Sequence, residues 1–137
     1  MKKFDFRLFT EDDLILIETT INGFPLMMAL DTGASQTVID WNALVLAGCL
    51  LPYRADPTHN VAVETAAGII DVQTYVVAQF STLGIEKTDF PILTYDFLAK
   101  GFVSSYDGVL GIDFFRQQSI LTIDFVEEKL WLASKKN

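Results

Sequence analysis

The sequence predicts a single, mostly β domain with one or two short helices, closed into a barrel or packed as a sandwich. Three observations favour this fold class. Apolar residues alternate with period two along most of the chain, turn-forming residues separate these runs, and no linker or tandem repeat interrupts the 137 residues. Apolar residues make up 50% of the chain, enough for a core. We therefore expect residues 1–137 to form one domain.

Composition and charge exclude several classes of function. The formal net charge of −8 argues against a nucleic-acid-binding role. Cys49 is the only cysteine, so we expect a buried bystander thiol and neither a disulfide framework nor a cysteine-based zinc site. His59 is a lone histidine without a metal-ligand pattern. The charged N-terminus lacks the apolar core of a signal peptide, and no run reaches membrane-spanning length. These features indicate a cytoplasmic protein without a membrane partner.

The first third of the chain predicts a hairpin followed by a strand and a helix. Leu14–Ile21 and Phe24–Leu30 are β-rich runs on either side of the turn signal Asn22-Gly23. The second run is apolar on both faces, so we expect it to be buried on both sides near its end. Residues 36–40 read as a short strand. The following residues 41–47 suit a short helix, with Asp40 as its N-cap and Gly48 closing it.

The remaining two thirds contain further strand signals. Residues 52–60 are expected to be a loop, and residues 61–80 a hairpin with the small tip Ala66, Ala67 and Gly68. Residues 85–94 predict another strand. Near the end, the segment VLGID leads into FFRQQ, which suits a short helix. The runs SILTIDF and KLWLAS then predict two strands around an acidic turn at residues 126–128.

The strongest functional signal is the segment FPLMMALDTGASQTVID, residues 24–40. An apolar strand runs directly into Asp31, and the small residues of D-T-G-A-S follow. Asp-x-Gly also suits an ordinary turn, which is the alternative for Asp31. Two further elements favour a site over a turn: the small-tipped hairpin in the middle of the chain, and a late apolar-apolar-glycine element at residues 109–111.

These pieces, LDTGAS, VETAAGIIDV and DGVLGIDFF, resemble the retropepsin-like aspartic proteases over residues 14–132. The tail GIDFFRQQSILTIDFVEEKLWL is similar to cellular and bacterial members. Viral members usually carry arginine after the late glycine, where this chain has Ile112 and Asp113. The resemblance implies the retropepsin-like acid protease fold, a twofold homodimer, a peptide substrate in extended form, and no cofactor or metal.

The chemistry of this class requires two carboxylates that share one proton and hold a water molecule between them. One acts as base toward the water and the other as acid toward the substrate carbonyl. This chain has one D-T-G and no second copy of it. The resemblance therefore implies that Asp31 is catalytic and meets its own copy across the twofold axis of a homodimer.

The resemblance also implies roles for the residues around Asp31. Thr32 would hydrogen-bond across the twofold axis. Gly33 would adopt a backbone conformation closed to most residues and bring its N–H near the carboxylate. Substrate would contact Ala34 and Ser35 in the cleft and a flap tip formed by Thr65, Ala66, Ala67 and Gly68. The residues packed behind the catalytic loop would be Val109, Leu110 and Gly111, where the glycine allows the close approach.

Several of these residues have simpler interpretations. For residues 64–68, a plain hairpin turn is the alternative to a flap. Asp107 and Asp113 flank GVLGI and could suggest a second catalytic acid, but we expect Asp113 to cap the following helix and Asp107 to lie in a turn. Four aromatic residues are expected in the core or the dimer interface. They are Trp41, Phe114, Phe115 and Trp131.

The expected function is an aspartic endopeptidase that acts as a homodimer on extended peptide segments. The alternative is a dimeric peptide-binding or adaptor module of the same fold without turnover, or a latent enzyme. The intact D-T-G at residues 31–33 favours the enzyme, because a binding module has no need for paired carboxylates.

Overall fold

β-strands dominate the structure, a computed structural model that describes residues 2–9, 14–49, 59–65, 68–102, 105–116 and 119–134. The strands are β1 Lys2–Asp5, β2 Arg7–Phe9, β3 Leu14–Ile21, β4 Phe24–Leu30, β5 Val38–Asp40, β6 His59–Thr65, β7 Gly68–Thr82, β8 Ile85–Tyr95, β9 Gly108–Leu110, β10 Ser119–Asp124 and β11 Lys129–Ser134. The helix α1 spans Trp41–Leu46, and 3-10 turns span Leu98–Lys100 and Ile112–Phe114. The predicted all-β class with short helices is confirmed.

Six strands close into a barrel in the order β3, β4, β9, β5, β8 and β7. The ring closes where Thr19–Ile21 of β3 pairs antiparallel with Phe80–Thr82 of β7. Strand β2 extends from β3, and β6 extends from β7 as a long hairpin. Closure pairs both edges of each ring strand over part of its length, which protects backbone groups that an open sheet would leave exposed.

The core fills the barrel with the inward residues of the alternating strands. Phe80, Ile21 and Met28 are each 0% exposed. An aromatic group lies at the centre, where Phe80 stands 4.7 Å from Phe90 and 5.7 Å from Phe114 between ring centroids. Aromatic pairs at such distances add to the stabilisation from burial alone. The end of β4 is buried on both faces, as its sequence predicts, since its last three residues are all buried.

Local signals explain the hairpin and the helix. Asn22 and Gly23 have φ of 49° and 81°, as a tight hairpin turn requires. The side chain of Asp40 accepts a hydrogen bond from the backbone N–H of Asn42, which satisfies a donor at the start of α1. Gly48 follows the helix with φ of 78°. Both predicted caps are confirmed.

Some predicted boundaries are wrong. The strand expected over residues 36–40 begins at Val38, and His59 and Asn60 belong to β6 rather than to a loop. The helix expected over FFRQQ is replaced by the 3-10 turn Ile112–Phe114, and residues 117–118 of that prediction lie outside the described residues. The expected loop residues 52–58 also lie outside them. Strands β1 and β2 were not predicted.

A second sheet joins the two ends of the chain in the order β1, β11, β10. Leu130 of β11 is 0% exposed and packs into the barrel core, so this sheet is attached to the barrel. Lys129 and Asp5 form an ion pair on its surface. Trp131 lies on this sheet, with the ammonium of Lys3 over its ring at 5.1 Å from the centroid.

Across the described ranges, no helix is long and apolar enough to cross a membrane.

Candidate active site

The D-T-G-A-S segment forms a loop directly after β4, and it presents the side chain of Asp31 to solvent. The backbone N–H of Asp31 donates to the carbonyl of Leu110 at 3.0 Å, and its own carbonyl accepts from Ala34 N at 3.1 Å. The N–H of Gly33 donates to the carboxylate Oδ1 at 2.8 Å. The buried end of β4 and these bonds hold an exposed carboxylate in one orientation.

Gly33 serves this loop in a way that differs from the prediction. It does not lie in the left-handed region, so the expectation of a backbone conformation closed to most residues is wrong. The contact at this position is steric instead, because a Cβ here would lie 3.1 Å from Oδ1 of Asp31 and would displace the carboxylate by a few tenths of an ångström. The second part of the expectation, an N–H close to the carboxylate, is confirmed by the bond described above.

The late glycine element lies directly behind the loop. Strand β9 is inserted between β4, with which it runs parallel, and β5, with which it runs antiparallel. Leu110 is 0% exposed, and Val109 is half-buried beside it. A Cβ on Gly111 would lie 2.7 Å from the carbonyl carbon of Gln36 and 2.9 Å from the carbonyl oxygen of Ala34. Glycine is needed here for the close approach of two backbones.

Hydrogen bonds join the loop to the segment after β9. The N–H of Ile112 donates to the carbonyl of Ala34 at 2.9 Å. The N–H of Gly111 donates to Oγ1 of Thr37 at 3.1 Å. Thr37 in turn donates its N–H to Oδ2 of Asp113 at 2.9 Å and its hydroxyl to Oδ1 at 2.7 Å. The two segments therefore form one hydrogen-bonded unit.

Asp113 is not the helix cap that the sequence suggested. The 3-10 turn begins after Gly111 without a side-chain cap, and Asp113 lies inside the turn and binds Thr37. Thr37 was not singled out from the sequence. Its one signal is its place as a polar residue directly before the apolar strand β5, although it is 0% exposed. Most buried threonine hydroxyls have a hydrogen-bond partner.

A lysine lies on the far side of this unit. The ammonium of Lys87 donates to the carbonyl of Phe114 at 2.7 Å. It stands 4.8 Å from the ring centroid of Phe114 and 5.5 Å from that of Phe90. Burial lowers the pKa of Lys87, and the nearby charge of Asp113 acts in the opposite direction. Lys87 thus adds a charged hydrogen bond and ring contacts where the 3-10 turn ends.

The other predicted site residues lie in the Asp31 loop and at the end of the hairpin of β6 and β7. Thr32 and Ser35 are exposed and Ala34 is half-buried. Thr65 and Gly68 face each other as the last pair of the hairpin of β6 and β7. The predicted tip residues Ala66 and Ala67 lie outside the described residues.

The remaining acidic and thiol candidates have structural partners. Asp107 lies in a bend, as predicted, and its Oδ2 accepts from Met27 N at 2.9 Å. Cys49 is half-buried rather than fully buried, and its Sγ accepts from Asn22 Nδ2 at 3.4 Å. Within the described ranges, no group of three His, Cys, Asp or Glu side chains is arranged to hold a metal ion.

The barrel with its inserted glycine strand is the fold of the retropepsin-like aspartic proteases. The chain superposes on the crystal structure of a retropepsin-like aspartic protease from Rickettsia conorii with a TM-score of 0.64 and 14% identity, covering 98% of this chain and 94% of that chain. It also superposes on the EIAV protease complexed with the inhibitor HBY-793, with a TM-score of 0.57 and 19% identity, covering 79% and 90%.

The sequence itself matches a family of aspartyl proteases over residues 17–114. The match spans more than half of the chain and includes the D-T-G loop, β9 and the 3-10 turn. The chain therefore belongs to the aspartyl protease family. No curated protein matches it.

Proposed function

We propose that this chain is an aspartic endopeptidase whose catalytic group is Asp31. One observation carries the proposal. The carboxylate of Asp31 is exposed at the end of a buried strand, and it is held by a backbone N–H at 2.8 Å from Oδ1. An acid that only ended a strand would not need the close approach of Gly111, where an added Cβ would lie 2.7 Å from the carbonyl carbon of Gln36 in the Asp31 loop. The family to which the chain belongs supports the same reading.

The proposed reaction needs two such carboxylates. One Asp31 takes a proton from a water molecule while the other, protonated, donates to the carbonyl oxygen of the scissile peptide. The resulting tetrahedral intermediate then collapses as a proton passes to the leaving nitrogen. Two carboxylates this close cannot both be ionised, so the pair supplies one base and one acid. Because the sequence contains one D-T-G, the second carboxylate comes from another copy of the chain.

Strand β10 is a suitable surface for that second copy. Within the described residues it pairs only with β11, so one of its edges is open. Leu121 and Ile123 pack toward the core, whereas Ile120 is 59% exposed. A twofold axis perpendicular to the sheet would pair β10 antiparallel with its own copy and join the two sheets.

Substrate would lie between the two copies in extended form. Ala34 and Ser35 border the carboxylate, and the hairpin of β6 and β7 supplies a flap whose tip spans residues 65–68. An extended peptide can form backbone hydrogen bonds with both elements. Closure of the flap would exclude water during the reaction.

The test of the proposed function is digestion of a diverse peptide library between pH 4 and pH 7 by the full chain. We expect cleavage within this range and a bell-shaped dependence of rate on pH, because one acid and one base must both be in the correct form. A rate that simply rises through pH 9 would contradict the paired-acid mechanism. Binding of peptides without any cleavage would instead favour the adaptor alternative.

Dimerisation makes a separate prediction. Replacing Ile120 with lysine should weaken the dimer by about tenfold or more, because each copy would bring a new like charge to the adjoining β10 strands. Sedimentation measures the dissociation constant, and specific activity should fall on dilution as the dimer dissociates.

The matched control is Val126→Lys. Val126 is 91% exposed in the turn between β10 and β11, so the same change adds the same charge to the same hairpin away from the edge. We expect its dimer to resemble that of the wild type. Equal weakening by both substitutions would show that net charge, and not the edge of β10, governs association. A wild type that stays monomeric at high micromolar concentration would exclude the paired-carboxylate mechanism.

A further inference from the structure

We propose that Asp113 is a positioning residue for Asp31, acting through Thr37 and the peptide group between Leu110 and Gly111. The inference rests on the proposed function in so far as it concerns turnover. Its structural content, that Asp113 fixes the backbone of the Asp31 loop, is independent of activity. The sequence predicts a different role for Asp113, as a helix cap, and no step of the proposed reaction uses its carboxylate.

The number of protons that each group can donate fixes the direction of each hydrogen bond in the unit. The hydroxyl of Thr37 carries one proton and accepts from Gly111 N–H at 3.1 Å. Its 2.7 Å contact with Oδ1 of Asp113 must therefore be a donation, because a carboxylate can only accept. Oδ2 accepts the Thr37 N–H at 2.9 Å. The carboxylate thus orients a hydroxyl whose free lone pair points at Gly111.

The peptide group between Leu110 and Gly111 connects the Thr37 hydroxyl to the Asp31 loop. Its N–H is held by Thr37, and its carbonyl accepts from the backbone N–H of Asp31 at 3.0 Å. A peptide group is planar, so fixing the N–H on one side fixes the direction of the C=O on the other. The orientation of this one plane therefore links the Thr37 hydroxyl to the backbone of Asp31.

Burial makes the hydrogen bonds between Asp113, Thr37 and Gly111 unfavourable to break. Thr37 is 0% exposed and Gly111 is buried, so water has little access to a broken bond. A buried donor that loses its partner is unfavourable by more than an ordinary hydrogen bond contributes. Asp113 also accepts from Phe114 N at 3.0 Å, which fixes the carboxylate within the 3-10 turn. One arrangement therefore satisfies all of these hydrogen-bonding groups.

Asparagine at position 113 cannot reproduce this arrangement. An amide has one oxygen and one NH₂ group where the carboxylate has two acceptors. If the NH₂ group occupies the Oδ2 position, it faces the N–H of Thr37, and neither of these two donors has an acceptor in the pair. With NH₂ at the Oδ1 position, the Thr37 hydroxyl must accept from it and its own proton loses its acceptor. In both orientations a buried donor is left unsatisfied.

The first experiment is amide hydrogen exchange by NMR on Asp113→Asn beside the wild-type protein. We expect the amides of Gly111 and Asp31 to exchange about tenfold faster or more, while the amide of Val77 in β7 keeps its rate. Unchanged exchange at both positions would overturn the inference. This measurement needs no turnover, so it separates a failure of the inference from a failure of the proposed function.

The second experiment follows peptide cleavage in a pair of Thr37 variants. Thr37→Val removes the hydroxyl and keeps the shape, so we expect kcat to fall by about tenfold or more with little change in KM. Thr37→Ser restores a hydroxyl and should restore kcat to near the wild-type value. Serine and valine variants that lose activity equally would overturn the inference, since only packing would then distinguish position 37. If Thr37→Val does not fold, kcat of Thr37→Ser is compared with kcat of Asp113→Asn. Equal values of kcat in these two variants would overturn the inference.

A stability control accompanies both experiments. Asp40→Ala removes the N-cap of α1, which accepts from Asn42 N at 3.3 Å, and leaves the Asp31 loop bonds in place. It should lower stability while kcat and the exchange of the Asp31 amide stay near wild type. If this variant reproduced the kinetic loss of Asp113→Asn, the effect would belong to global stability and the positioning role would be excluded.

Discussion

Replacing Asp31 with asparagine should abolish peptide cleavage and leave the fold intact. The amide oxygen can still accept from Gly33 N–H, which lies 2.8 Å from Oδ1, and the exposed side chain makes little contribution to the core. An amide cannot take up or share a proton, so both the base and the acid are lost. General acid–base catalysis contributes typically 10² to 10⁴, and we expect a loss of at least about 10³-fold in kcat/KM. Peptide digestion with circular dichroism of both proteins measures the two effects.

Asp124→Asn is the matched control for this loss. Asp124 accepts from the backbone N–H groups of Val126 and Glu127 through Oδ1, at 3.0 and 3.1 Å, in the same manner as Asp31 accepts from Gly33. The substitution removes the same charge at the end of β10, away from the Asp31 loop, and should retain full activity at a concentration where sedimentation shows both variants to be dimers. Cleavage that persists in Asp31→Asn would move catalysis to another group.

A mixing experiment extends the same prediction to the dimer. When wild-type and Asp31→Asn chains are mixed in equal amounts and allowed to exchange, about a quarter of the dimers should keep two wild-type carboxylates. Activity should fall to about that fraction of the same total concentration of wild-type protein, because mixed dimers lack one member of the pair. Activity that falls only to about half would mean that each chain works alone, against the paired mechanism.

Local sequence signals were sufficient for the first part of the fold. The hairpin of β3 and β4 was predicted with its bounds because alternation, the Asn22-Gly23 turn and an apolar end all lie within one continuous segment. The caps of α1 were predictable for the same reason, since Asp40 bonds to a residue two positions away. Where the partner of a residue is close in sequence, the pattern carries the information.

The parts that were missed depend on distant partners. Strand β1 contains the charged residues Lys2, Lys3 and Asp5, and it forms a strand because β11 from the other end of the chain pairs with it. Thr37 and Asp113 are 76 positions apart, so neither their residue types nor their spacing predicts the hydrogen bond between them. Asp113 looked like a helix cap because Asp before an aromatic run suits that role. In the folded chain, Asp113 instead accepts hydrogen bonds from the distant residue Thr37.

Gly33 gives a similar lesson about the site. Its presence in D-T-G was expected from the family resemblance, but the expected reason was conformational. The structure shows a tight contact instead, since a Cβ would lie 3.1 Å from Oδ1 of Asp31 and would have to shift the carboxylate. The contact depends on a carboxylate oxygen that the folded loop brings near, so the sequence could not predict it.

Replacing Gly108 with alanine should have the largest effect on stability of any change to a glycine of the barrel. A Cβ at this position would lie 2.3 Å from the carbonyl oxygen of Val38, 2.9 Å from Sδ of Met28 and 3.0 Å from Cα of Ile39. Two of these atoms are backbone of β5, which pairs with β9, so no side-chain rotation relieves the contact. We expect a loss of about 3 kcal/mol, the upper part of the range for overpacked cores, measured by urea unfolding at one protein concentration.

Gly101→Ala is the control that separates crowding from conformational strain. Gly101 has φ of 83° with nothing within 4 Å of an added Cβ, so alanine there meets strain without collision. Its loss should be about 1 kcal/mol. The difference between the two variants then measures how tightly β9 is held between β4 and β5, the insertion that places Leu110 behind Asp31. Equal losses would mean that β5 moves aside freely, and a support that yields so easily could not hold the Asp31 loop in one orientation.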